Sequence, residues 1–322
     1  MNLSDAIHAA GLSHHAELIK RLAQPSVRLI ASRVADGEGL PLGASRIGGT
    51  PDLPDGTAWA CASEVDTRDE GWNVEGKPMP SFPLPFLAQV NFAEIAALGL
   101  PDSPLPSAGI LYAFADAESG HWQIRYSEPS MNLNPVPFPD NMPVIDRYPA
   151  YGLVAKTEWH IESVRYTDEE MPTFDAELML LSRQSIQVER HLFGNIRERD
   201  PFSNLRSMVR FSDVSKPETE NYHRLLGMEE PIQSAMSPLE LSAKLDGKSV
   251  AHLHGIPTDD PIVAHAIEEA IVAQWTLLLQ IDSIRQEPTM VWGDTGTHYW
   301  WIKRADLLRR DFSGVQYDFQ CG

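Results

Sequence analysis

The sequence predicts an α+β protein, with two similar strand-helix-hairpin units packed as a pseudo-twofold internal duplication and largely antiparallel sheets. Three observations predict it. "PFLAQVNFAEI" at 85–95 and "TLLLQIDSIRQ" at 276–286 share one order of residue types: apolar, apolar, Gln, apolar, Asn or Asp. Each is followed, after a similar interval, by a glycine and an aromatic strand, "GILYAF" from Gly109 and "GTHYWWI" from Gly296. Finally, 21 glycines and 25 prolines, many within 36–143, favour short strands and loops over long helices. Upstream, "RIGGTPDLP" from Arg46 corresponds to "RLLGMEEPIQ" from Arg224. The chain divides accordingly into N-terminal helices and a first strand (1–40), a first unit (41–165), a helical connection (166–220) and a second unit (221–322), all within one compact domain.

Residues 3–23 read as two short helices with Ser4 and Ser13 placed to cap them and Gly11 between. "SVRLIASR", 26–33, alternates Val27, Leu29 and Ala31 with polar neighbours, the period of a half-buried strand. The Gly- and Pro-dense stretch 43–59 forms an ordered loop around Ile47 and Trp59. A strand through Phe86, Ala88 and Val90 follows, then a short helix capped by Asn91 and stopped by Gly99 and Pro101. Strands 109–116 and 121–128 form a hairpin, and 129–149, with six prolines, crosses irregularly to a strand at 151–164. Helices are expected at 174–193, 237–247 and 260–274, a buried strand at 275–283, and a strand-helix-strand ending through 297–304 and 315–321.

Charge narrows the function classes. Asp and Glu number 45 against 26 Lys and Arg, a net charge of −19. Such a field repels nucleic acid and anionic membranes and favours basic proteins. Basic runs at 194–200 and 303–310 are local; the second suits the last turn of a short helix. Two distant cysteines, Cys61 and Cys321, make neither a disulfide framework nor a metal cluster. The first residues carry neither a basic leader nor an unbroken apolar run, so the expected compartment is the cytoplasm.

"MVWGDTGTHYWW", 290–301, contains Asp294-Thr295-Gly296, the tripeptide of aspartic proteases. Those enzymes need two carboxylates sharing a proton, and the first unit offers only "DSPLPSAG" at the matching place. The tripeptide reads instead as a turn. His252 and His254 in "HLHG" lack a third ligand by spacing, and no phosphate loop or nucleophile elbow occurs. No catalytic residue, metal or cofactor is therefore assigned. The candidate residues are polar groups set in apolar strands: Gln89 with Asn91, and Gln280 with Asp282. Each pair shares one strand face. They either tie down neighbouring loops or meet in a cleft on the pseudo-axis, lined further by Arg46, Gln233, Trp292 and Asp294.

Taken together, "SRIGGTPDLP", "PLPFLAQVNFAEI", "LPSAGILYAF", "HRLLGMEEPIQ", "LLLQIDS", "MVWGDTGTHYWWI" and "DFSGVQYDFQC" resemble the YwqG-like family of uncharacterised bacterial proteins. The resemblance runs from about residue 45 to the end and implies a repeated α+β unit, no established reaction, and a setting beside secreted toxins like that of immunity proteins. The functional expectation is a non-catalytic interaction protein, such as an acidic immunity-type partner of a basic toxin. The alternative is an enzyme or small-molecule-binding protein with its cleft between the two units.

Overall fold

The computed structural model describes residues 3–34, 39–62, 81–129, 131–160, 208, 221–227, 229, 232–233 and 274–322. The helices expected at 174–193 and 237–247, all but the last residue of that at 260–274, the basic run 194–200 and the "HLHG" segment lie outside the described residues.

Short apolar runs, nearly continuous over 86–91, 110–115, 275–282 and 297–303 and alternating with polar residues over 122–127 and 316–320, produce most of the observed strands. In chain order they are β1 (Gln24–Arg33), β2 (Arg46–Ile47), β3 (Asp52–Pro54), β4 (Phe86–Asn91), β5 (Ile110–Ala115), β6 (Trp122–Ser127), β7 (Leu133–Pro135), β8 (Tyr151–His160), β9 (Arg224–Leu225), β10 (Trp275–Asp282), β11 (Thr297–Lys303) and β12 (Gln316–Gln320). Ten of them form one sheet, ordered β12-β11-β10-β9-β1-β8-β2-β4-β5-β6, while β3 and β7 pair separately. Every pairing is antiparallel. The long pair β1/β8 is central. On one side lies a first wing, β2-β4-β5-β6, and on the other a second wing, β9-β10-β11-β12.

The two edge strands approach one another through side chains. Trp122 of β6 meets Tyr317 of β12 at 5.6 Å between ring centroids, and Tyr126 stacks on Phe312 at 5.1 Å. The sheet is thus rolled into a nearly closed, barrel-like form. Val27, Leu29, Ala88, Val90, Leu279, Ile281 and Trp300 fill its interior. The period of two sends their neighbours outward. Trp301, for example, packs outside with Trp275, Leu277 and Tyr299 while Trp300 faces in. On the first wing the outer face is covered by β3, β7 and the adjoining loops, with Trp59 against Phe114 at 5.8 Å and its indole N–H donated to Leu84 O at 2.8 Å.

This architecture corrects the expected α+β fold of packed strand-helix-hairpin units. The protein is mostly antiparallel sheet, and the wings are continuous through β1 and β8. The helices of the described residues are α1 (Leu3–Ala9), α2 (Ala16–Leu22), α3 (Phe92–Ala96) and α4 (Arg304–Leu308), seven, seven, five and five residues long. Asn91 does start α3, its side chain accepting from Ala93 N. With only Phe92 and Ile95 buried, α3 is too short to form a layer of its own. The serine caps expected at the N-terminus are also corrected. Ser4 lies inside α1, and His15 precedes α2 without a capping bond from its side chain. Among the described residues, no helix is long and apolar enough to cross a membrane.

Candidate functional site

The matched Gln and Asn/Asp residues each tie a strand to the backbone that leads into its neighbour. In the first wing β2 lies against β4, with Arg46 opposite Gln89. Gln89 is buried, accepts from Asp52 N at 2.9 Å and donates to Ala44 O at 2.8 Å and Asp52 Oδ2 at 3.1 Å. Two residues on, Asn91 donates to Gly43 O at 3.0 Å, and its backbone N–H donates to Ser45 Oγ at 2.8 Å. Arg46 completes this latch by pairing with Asp52 at 2.5 Å and donating to Thr50 O at 3.1 Å. Burial lowers the Arg46 guanidinium from its ordinary value, and the Asp52 carboxylate opposes that shift. Beneath them the Tyr112 hydroxyl donates to Asp52 O at 2.7 Å, and burial raises it.

The second wing repeats the arrangement with different chemistry. Arg224 stands opposite Gln280, which donates to Tyr222 O at 2.9 Å. Asp282 accepts from Tyr222 N at 3.1 Å and from Thr297 Oγ1 at 2.8 Å, and its own N–H donates to His223 Nδ1 at 3.0 Å. Arg224 pairs with Glu158 of β8 at 3.1 Å. Burial raises the Asp282 carboxyl, while the bonds from Thr297 and Tyr222 hold it down in part. Burial, helped by the nearby Arg28, lowers the His223 imidazole to about 3. A neutral ring that accepts at Nδ1 carries its proton on Nε2.

Four strands separate β4 from β10, and each latch makes its hydrogen bonds within its own wing. The structure therefore brings Arg46, Gln89 and Asn91 together, and separately Gln280 and Asp282. Gln233 lies apart from both, donating to Cys321 O at 2.7 Å. Trp292 is buried in the barrel, edge-on to His298 at 4.6 Å and to Tyr148 at 5.9 Å. Asp294 is exposed in a turn closed by Gly296 N donating to Trp292 O at 2.7 Å, with Gly293 and Thr295 both at positive φ. That is turn geometry, in which Gly293 takes the left-handed conformation freely and the β-branched Thr295 is held in it by the turn.

A concave site does join the wings, built from other residues. A cleft of about 280 Å³ lies where the loop 100–104, after α3, reaches the second wing. Its apolar walls include Leu226, Trp275 and Trp301; its polar groups include Gln24, Asp102 and Arg304. Arg304 Nη2 donates to Asp102 O at 2.8 Å, which ties the loop to the end of β11. Asp102 sits at φ 49, a left-handed conformation uncommon outside glycine. Trp301 is buried, and its indole N–H has no partner among the described residues. Among those residues no group of three or more His, Cys, Asp or Glu is placed to hold a metal ion.

Residues 45–321 match a family described as a domain of unknown function, DUF1963. The chain belongs to the DUF1963 family. No curated protein matches it. In this DUF1963 protein the cleft residues were missed by sequence reasoning, because "DSPLPSAG" and "VAQWTL" are far apart and neither carries a motif. The usable signal was the pair Trp275 and Arg304, an aromatic and a cation that flank the β10/β11 hairpin in sequence and meet at its open end, where Trp275 lies opposite Lys303.

Proposed function

We propose that this DUF1963 protein is a non-catalytic binding protein that takes a small organic anion in the cleft between the wings. One observation carries the reading: the cleft opens where a loop of the first wing and strands of the second converge on an aromatic wall with a cation at its rim. Its volume of about 280 Å³ suits a compact ligand. Trp275 and Leu226 offer apolar contact, and Arg304 retains N–H groups beyond the one it gives Asp102. Arg304 at the rim and Lys303, 5.5 Å over the Trp275 ring, place two cations beside the cleft despite the net charge of −19. The described lining holds no histidine or cysteine, and its one carboxylate, Asp102, has no neighbouring base, so binding rather than turnover fits the chemistry.

The finer resemblance to the YwqG-like family, a cytoplasmic setting and the descent of both wings from one duplicated unit belong to this reading. The last is supported by the parallel latches. The test is thermal stabilisation across a panel of aromatic and aliphatic carboxylates and phosphates. A ligand at a hundredfold its Kd adds about 2.7 kcal/mol of stability. Arg304→Gln, an exposed substitution, removes that gain while leaving the unliganded midpoint unchanged. A panel without any stabilising anion, or stabilisation that survives Arg304→Gln, refutes the proposal.

A further inference from the structure

A second surface lies on the first wing, away from the cleft and independent of it. In the proline-rich crossing before β8, a 3-10 turn at Val144–Asp146 holds two consecutive aliphatic side chains in solvent, Val144 at 81% and Ile145 at 83% exposure. The turn is rigidly built. Asp146 N donates to Pro143 O at 3.1 Å, and Arg147 donates to Met142 O at 2.9 Å and Pro139 O at 3.3 Å while lying 5.9 Å over the Phe138 ring. Met142 is buried beneath it as an anchor. Single exposed apolar residues are common, but a braced turn presenting two adjacent ones is costly to leave in water.

The rim of this turn is acidic. Burial raises the Asp146 carboxyl above its ordinary value, and the nearby charges of Asp116 and Glu118 raise it further. Asp140, exposed, adds a fourth carboxylate. Arg147, next to Asp146 in the chain, directs its N–H groups to backbone carbonyls. We propose that the Val144–Ile145 turn docks a cationic protein segment, the two aliphatic side chains entering an apolar patch while Asp116, Glu118, Asp140 and Asp146 face its lysines and arginines. Charge selects this occupant. A second copy of a chain at −19, a nucleic acid and an anionic membrane are all repelled by the same rim.

The experiment uses the full chain and two labelled synthetic peptides of equal charge, one alternating Lys with Leu and the other Lys with Gly, read by fluorescence anisotropy. The Lys/Leu peptide binds tighter by about tenfold or more, since two aliphatic side chains are buried with it. Val144→Ser/Ile145→Ser abolishes that difference without shifting the thermal midpoint. Asp116→Asn/Asp146→Asn weakens both peptides and flattens the salt dependence, whereas Asp5→Asn/Glu17→Gln, the same charge change on the N-terminal helices, does much less. The proposal is overturned if neither peptide binds, if the double serine variant discriminates as the wild type does, or if the two charge-matched variants behave alike.

Discussion

The two wings meet the central strand pair at two corners, and one is closed where the other is open. Arg46 of β2 stands opposite Gly152 of β8, and Arg224 of β9 opposite Arg28 of β1. Counting back equally along each central strand reaches Tyr148-Pro149-Ala150 in one case and Gln24-Pro25-Ser26 in the other. At the first corner Gly48 and Gly49 follow β2, and a Cβ on Gly48 would stand 2.1 Å from Pro149 O. A Cβ on Gly49 would meet that of Ala150 at 2.8 Å. The glycines let Tyr148 settle against Trp292, and the corner closes. At the second corner Leu226 replaces the first glycine, itself at φ 61, and Gln24 replaces the tyrosine. There the cleft remains. One side-chain exchange on each of two facing segments separates packed wall from pocket.

The largest expected effect lies in the first latch. Asp52 accepts from Gly43 N, Arg46 and Gln89 and is buried. Asp52→Ala leaves a buried guanidinium without its carboxylate, an effect of about 3–5 kcal/mol. In the second latch Gln280→Leu removes an amide rather than a charge and leaves the Tyr222 carbonyl without that donor, about 1–3 kcal/mol. Thermal or urea unfolding of the two variants ranks them. Equal losses would mean that the latches carry the same load despite their different chemistry.

At pH 5, where it amounts to about 2 kcal/mol for each histidine, a pH effect comes next and distinguishes the wings. Ser45 serves the first latch where His223 serves the second, each accepting from the backbone N–H of Asn91 or Asp282. His223 and the interior His298 are both lowered to about 3, chiefly by burial. The unfolded chain takes up these protons near the ordinary histidine value and the folded chain does not, so stability is fully present above that value. It falls by about 1.4 kcal/mol per pH unit for each histidine as pH drops from about 6.5 toward 3. Asp282, raised by burial, runs the other way and offsets part of the loss at the acid end. Hydrogen exchange at pH 5 should therefore open β9 and β10 before β2 and β4. His223→Ser should remove about half the slope of the unfolding free energy against pH.

What the sequence made legible follows the range of each interaction. The strands 86–91, 275–282 and 297–303 were readable because a short apolar run is a property of neighbours in the chain, and Asn91 was readable as a cap for the same reason. The polar pairs Gln89/Asn91 and Gln280/Asp282 were readable as exceptions within those runs. The neighbouring loops were legible as what they tie down, but not the atoms, since Ala44 and Tyr222 are contacted through backbone groups that carry no sequence signal. The fold class failed for a related reason. Local helix signals at 92–96 and 304–308 are real, yet nothing in them states that five residues cannot make a layer. Closure of the sheet depends on Trp122 finding Tyr317, a contact between the two edge strands, which are far apart in sequence. Strands of two residues, β2 and β9, are too short to show a period at all.

The smallest expected change in stability tests the corner comparison most directly. Gln24→Tyr places at the open corner the side chain that occupies the closed one. Gln24 is exposed on the rim of the cleft, so the unliganded protein should shift by no more than about 0.5 kcal/mol. The phenol should instead lie across Trp275 and Leu226 and take the volume a ligand needs. Any anion that stabilises the wild type should then lose its effect, while Gln24→Ala keeps it. If Gln24→Tyr leaves ligand stabilisation intact, the residue at that position does not gate the cleft. The burden would then fall on Leu226, whose replacement by glycine should let β1 settle and close the corner as β8 closes its own.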